Sequence, residues 1–165
     1  MLVSSEMNAA VNEQIGHEFA AMLQYVAIAT YFDGEALSVL ARHYYRQAEE
    51  EREHAMRFVK YLVDAGGKVA IPAISAGRSD FVSAEEAVQL SLDRELTVTR
   101  QINGLMDQAI KENDHTSRNA LEWFVAEQLE EVSSAETLLR IVQRAGERGL
   151  WIVEDSLARL HAESV

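Results

Sequence analysis

The chain has 165 residues, of which 27 are acidic and 15 basic, for a formal net charge of −12, and it holds no cysteine. The charge argues against nucleic acid as a partner, because phosphate binding rests on Lys and Arg, and it favours cations. The missing cysteines remove disulfide and thiolate chemistry. No apolar run reaches the roughly 20 residues of a membrane span, and Met1–Glu6 lacks the basic start and long apolar core of a leader. A single cytoplasmic domain over 1–165 is the expectation.

Residues 5–33 place Val11, Ile15, Phe19, Met22, Val26 and Ala29 at helical spacing, with Ser5 as N-cap and Asp33-Gly34 as stop. Residues 35–65 repeat the pattern through Leu37, Leu40, Tyr44, Ala48, Phe58 and Leu62, ending at Gly66-Gly67. So short a connection predicts an antiparallel pair. Residues 66–82 carry no helical pattern. Seventeen such residues exceed what a hairpin needs and span up to about 50 Å when extended. They suit a crossover along the bundle that leaves helices two and three parallel.

Ser83-Ala84-Glu85-Glu86 reads as a capping box. It opens a helix over 83–112 through Val88, Leu92, Leu96, Ile102, Leu105 and Met106. Asn113-Asp114 turns the chain into a fourth helix over 115–145, through Leu121, Phe124, Val125, Leu129, Val132, Leu138 and Val142, closed by Gly146. A short fifth helix over 150–160 carries Trp151, Val153, Leu157 and Leu160. The fold class is all-α, a bundle of four long helices and one short one.

The chemistry lies in a repeated spacing. Glu18 precedes Glu51 by 33 residues and His54 by 36, and Glu95 precedes Gln128 by 33 and Glu131 by 36. Each half thus holds a lone Glu on one helix and a pair three apart on the next, which share a helical face. The midpoints fall at the Asp33-Gly34-Glu35 and Asn113-Asp114 turns, so in antiparallel pairs each lone Glu stands level with its pair. Docking the halves gathers all six side chains at mid-bundle, among Met22, Tyr25, Phe58, Ile102, Phe124 and Leu138. Four glutamates and a histidine buried together need cations to neutralise them. Carboxylate with imidazole suits iron, manganese or zinc, and two ions sharing a bridge would place Glu51 between them.

Glu49, Glu53, Glu85, Glu86 and Glu136 are expected to be solvated, and His17, His43, His115 and His161 to lie on the surface or in packing. By spacing alone Tyr25 and Trp123 are core residues.

A lone Glu on two helices and a Glu-x-x-His-type pair on the others is the pattern of ferritin-like di-iron bundles. The whole chain resembles a bacterial non-haem ferritin. Ala27-Ile28-Ala29-Thr30-Tyr31-Phe32-Asp33 and Trp123-Phe124-Val125-Ala126-Glu127-Gln128-Leu129-Glu130-Glu131 are similar to actinobacterial ferritins. The resemblance implies one iron at Glu18, Glu51 and His54, and a second at Glu51, Glu95 and Glu131 with Gln128 beside it. It also implies a third iron at Glu50, Glu127, Glu130 and Glu131, and an electron-donating role for Tyr25 with Trp123 nearby. A bacterioferritin would repeat Glu-x-x-His where Gln128-x-x-Glu131 stands, and would carry a haem methionine where Arg52 stands. No haem is therefore expected.

The implied activity is that of a ferroxidase with iron-storage function: Fe2+ is oxidised by O2 or H2O2 and the ferric product is stored in a hollow cage of 24 copies. Alternatives are a rubrerythrin-like peroxidase, whose rubredoxin centre the lack of cysteine excludes, a manganese catalase, or a helical interaction module with exposed acidic faces. A DNA-protecting mini-ferritin is disfavoured, because its ligands lie between subunits and the fifth helix here is terminal. Arg118 and Glu122 are candidates for a pore.

Overall fold

The computed structural model describes residues 2–163, with side chains described through Arg159. Leu160 and His161, named above, lie outside the described side chains. Among the described residues the elements are α1 Ser5–Gly34, α2 Ser38–Asp64, α3 Ala84–Lys111, α4 His115–Ala145, a 3-10 turn Glu147–Gly149 and α5 Leu150–Glu163, with no strand.

The caps explain where the helices begin. Ser4, not Ser5, is the N-cap of α1: its backbone is extended and its hydroxyl accepts from the Met7 N–H at 3.0 Å. Ser5 donates to Glu6 instead. Helix α1 ends at Gly34, as the Asp33-Gly34 stop predicts, and Ala36 takes the left-handed backbone at φ 58° that reverses the chain. Helix α2 therefore starts at Ser38 rather than 35. Half of the capping box forms as expected, with Ser83 Oγ accepting from Glu86 N–H, but the Glu86 carboxylate accepts from Val82 N–H, one residue before the cap, rather than from Ser83 N–H. Asp114 caps α4 by accepting from Ser117 N–H at 2.9 Å.

The side-chain pairings set the topology. Tyr25 packs against Tyr44 with tilted rings, and the Leu2 N–H bonds the Ala65 carbonyl, so α1 and α2 are antiparallel. Tyr25 also meets Ser91 and Glu95, while Met7 shares a core cluster with Leu105 and Ala109, so α3 too runs against α1. Helices α2 and α3 are thus parallel, and the segment joining them climbs along α1. Amide side chains of α1 clamp it as a partner strand would. Asn8 and Asn12 bond the backbone of Lys68 and Ala70, and Gln24 both donates to and accepts from Arg78 at 2.8 Å. Gly16 lets Pro72 lie against the helix, since a Cβ there would fall 2.5 Å from its ring.

The core has two apolar clusters. One gathers Tyr25, Phe32, Tyr44, Leu92, Leu138 and the inner face of α5. The other gathers Ile15, Phe58, Val98, Ile102 and Phe124. Between them, on every long helix, lies a gap filled by polar residues. Several expected core positions are exposed instead, among them Val26, Leu96 and Val125, and two others strongly so. Leu129 is 75% exposed, because its neighbours Gln128 and Glu131 take the inward face at that level. Trp151 is 70% exposed, while Val153 and Leu157 make the α5 seam.

Candidate metal centre

The polar gap holds the six residues singled out by spacing. Helix α1 contributes Glu18, α2 contributes Glu51 and His54, α3 contributes Glu95, and α4 contributes Gln128 and Glu131, all buried. Mid-helix positions fix their direction, and the apolar clusters above and below exclude water.

Glu18, Glu51 and His54 each offer a ligand atom, all within 4.8 Å of one another. His54 Nδ1 lies 3.7 Å from Glu51 Oε2. Gln14 donates to Glu18 Oε1 at 2.8 Å, and Glu18 Oε2 has no hydrogen-bond partner although it is buried. Such an orphaned carboxylate oxygen costs about 1–3 kcal/mol or more when left bare, and a cation would satisfy it. On the other side, Gln128 Nε2 reaches the carbonyl and carboxylate of Glu95 and the Thr99 hydroxyl, each at 3.2 Å.

Burial holds all four carboxyls above the usual range. Glu18 is pushed well up by desolvation and then by the Glu51 charge. Glu51 is pushed well up by desolvation and then by Glu95. Glu95 rises by desolvation, offset in part by hydrogen bonds from Tyr25 and Gln128. Glu131 is pushed up to about 8 by desolvation, with Glu95 and Glu50 adding repulsion. The set is built for positive charge.

Tyr25, buried at the edge of this set, donates its hydroxyl to Glu95 Oε1. Desolvation and then the Glu95 charge raise its phenol well above the usual value. Tyr44 stands next to it, ring centroids 5.9 Å apart, and shares a 2.9 Å hydrogen bond with Ser91 Oγ.

His54 belongs to a second group as well, with Glu127 and Glu131, again with ligand atoms within 4.8 Å. Glu50 borders this group, half-buried, and burial raises its carboxyl too. A groove of about 480 Å³ opens onto His54 and is lined by Glu50, Glu53, Glu127, Arg57, Lys60 and Trp123. Glu130 is exposed and lies outside the group. His17 and His115 are exposed, and His43 packs edge-on against Tyr44.

Sequence reasoning did not single out Gln14, Thr99 or Arg57. The first had a readable signal, since it lies one turn before Glu18 on the same face. Thr99 stands one turn after Glu95 in the same way. Arg57 had no such mark, because its importance comes from Trp123 on another helix.

Residues 8–145 match the family described as a ferritin-like domain. Ferritin BfrB of Mycolicibacterium smegmatis is 45% identical over 157 residues, covering 95% of this chain and 86% of that protein. The bacterial non-heme ferritin of Staphylococcus aureus strain USA300 is 34% identical over 158 residues, covering 94% and 95%. Among solved structures, an open-pore ferritin from the hyperthermophilic archaeon Archaeoglobus fulgidus superposes with a TM-score of 0.92 at 32% identity, over 94% of this chain and 96% of that one.

Proposed function

The chain belongs to the ferritin-like family, and from that membership we propose that it stores iron by oxidising Fe2+ at the buried carboxylate–histidine centre. In this reading iron is substrate and cargo. Glu18, Glu51 and His54 hold one Fe2+, and Glu51, Glu95 and Glu131 hold a second, with Gln128 orienting Glu95. The observation that carries the reading is the bare Glu18 Oε2, buried beside Glu51 and His54 in a set of carboxyls all destabilised as anions.

Each Fe2+ gives up one electron. O2 taking two electrons and two protons becomes H2O2, and H2O2 taking two more of each becomes two waters. The chain's own residues supply the ligands, exclude bulk water and fix geometry, while the metal carries the redox change. Binding displaces the protons that the raised carboxyls hold in the metal-free protein. Tyr25, hydrogen-bonded to Glu95, is placed to give a further electron.

The second group, His54, Glu127 and Glu131 with Glu50 at its rim, serves a third Fe2+ in this reading. Exposed Glu130 then belongs to the approach rather than to the site. Assembly into a hollow cage of 24 copies is part of the proposal, supported by family membership, and the net charge of −12 suits attraction of Fe2+ to it. A cytoplasmic location is proposed on the same grounds, and no described helix is long and apolar enough to cross a membrane.

Gel filtration of the metal-free protein, with Fe2+ added in air to the eluted peak, tests the reading. A particle of cage size that forms Fe3+ faster than buffer supports it. A small particle with no more oxidation than buffer overturns it.

A further inference from the structure

Two oxidisable rings reach the centre by different routes, and a carboxylate meets one while a cation covers the face of the other. Tyr25 comes from the α1–α3 side and turns its hydroxyl onto the Glu95 carboxylate. Trp123 comes from the α2–α4 side and sets its ring against His54, with centroids 5.4 Å apart and planes at 75°. The face of Trp123 is covered by Arg57, whose guanidinium carbon lies 3.7 Å from the ring centroid.

That placement of Arg57 is not forced by its neighbours. Glu53 lies four residues earlier on the same helix, a spacing that favours an ion pair. Glu50 and Glu127 line the same groove. Yet among the described residues Arg57 makes no ion pair and covers the indole instead.

A guanidinium over an indole face is attracted by the neutral ring. Loss of one electron leaves an indole radical cation, and the same guanidinium then repels the new charge at short range. The reduced ring is stabilised and the oxidised ring destabilised. We propose that Arg57 is a positioning residue that raises the one-electron potential of Trp123 and keeps that ring out of the electron supply to the centre.

The role rests on the Fe2+-oxidising reading above. When O2 goes fully to two waters it takes four electrons and four protons. Two Fe2+ of the paired site supply two electrons, a third Fe2+ supplies one, and an aromatic ring completes the count. With Arg57 in place that ring is Tyr25, whose phenol loses an electron and a proton together. Without the cation, Trp123 competes. Its radical cation loses the N–H proton to water, the neutral radical adds O2, and a further Fe2+ with a proton reduces the resulting peroxyl to a hydroperoxide, an oxygenated indole that is not recycled.

The test uses the full-length, metal-free protein carrying Trp151→Phe, which leaves Trp123 as the sole tryptophan of the two in the chain. Arg57→Gln removes the charge while keeping a planar group over the ring, and Arg57→Lys keeps the charge. Flash-generated tris(bipyridine)ruthenium(III) then oxidises the indole at a rate that follows its potential. Arg57→Gln is expected to react roughly tenfold faster than the parent, and Arg57→Lys close to the parent. Equal rates in all three would overturn the proposal, whatever the centre does.

The second arm is Fe2+ turnover in air followed by peptide mass spectrometry. Oxygenated Trp123 should accumulate in Arg57→Gln and not in the parent. Its absence while Fe2+ is being oxidised would overturn the role of Arg57 in turnover. Failure of the parent to oxidise Fe2+ would instead overturn the reading of the centre, leaving the potential shift to stand on the first arm.

Discussion

Gln14 holds one oxygen of Glu18 at 2.8 Å and leaves the other buried with no hydrogen-bond partner. The amide fixes the carboxylate plane, so the free oxygen is already directed when a cation arrives. Groups that orient metal ligands typically contribute about 10–100-fold in affinity. Gln14→Leu fills a similar volume and removes the donor. Anaerobic Fe2+ titration is expected to show at least about tenfold weaker binding at the tighter paired position. Affinity equal to the parent would mean that Gln14 only packs.

The four raised carboxyls make the metal-free protein sensitive to alkali. Glu131 shifts from the ordinary 4.5 to about 8, and Glu18, Glu51 and Glu95 move in the same direction. Through that window the folded chain keeps protons that the unfolded chain has released. The unfolded state binds fewer protons, so stability falls as pH rises. Metal-free Tm is expected to drop between roughly pH 5 and pH 8, and a saturating divalent metal should recover the loss at the upper end. A metal-free Tm that climbs over this range would contradict the burial of ionisable charge.

Helix α2 has no capping side chain of its own, since Leu37 stands at its N-cap. Glu154 of α5 takes the role, accepting from Leu40 N–H at 2.7 Å and Val39 N–H at 2.9 Å. Glu147 likewise accepts from Ala84 N–H at 3.0 Å at the start of α3. The 3-10 turn and α5 are thus tied to two helix N-termini, where carboxylates are favoured. Glu154→Ala should cost about 1–2 kcal/mol, lowering Tm by roughly 2–8 °C. Limited proteolysis should then cut first within α5. An unchanged Tm and cleavage pattern would show that the Val153–Leu157 seam alone holds the helix.

The bundle was legible because its signals are local and repeated. Helical spacing of apolar residues, turn residues at Asn113-Asp114 and the equal 33-residue offsets marked four helices and one polar level. Long-range physics was not legible. Ala36 rather than Gly34 takes the left-handed backbone, at a turn where the Leu37 N–H bonds back to the Phe32 carbonyl. Leu129 reads as core by composition but faces out, since Gln128 and Glu131 occupy the inward positions. The cap on α2 comes from Glu154, 115 residues beyond Val39, and no local pattern announces it. Within the centre, ligand types at fixed spacing were readable. The sharing of His54 between two groups and the exposure of Glu130 depend on helix rotation.

Tyr25 separates an electron-donating role from a packing one. Tyr25→Phe keeps the ring beside Tyr44 and removes only the hydroxyl that meets Glu95. Oxidation of the first Fe2+ pair should continue. A phenoxyl radical trapped by rapid freezing during aerobic oxidation should disappear. The same radical at the same yield in the variant would assign it to another ring.

The central claim is that the buried level of Glu18, Glu51, His54, Glu95, Gln128 and Glu131 oxidises Fe2+. The most direct measurement is the initial rate of Fe3+ formation in air, at matched protein concentration, for the parent, Glu51→Ala and His54→Ala, with particle size checked on each. Both variants should assemble to the parent's size and lose the fast phase by at least about tenfold. Parent-like initial rates in both would contradict the account and move the oxidation elsewhere in the molecule.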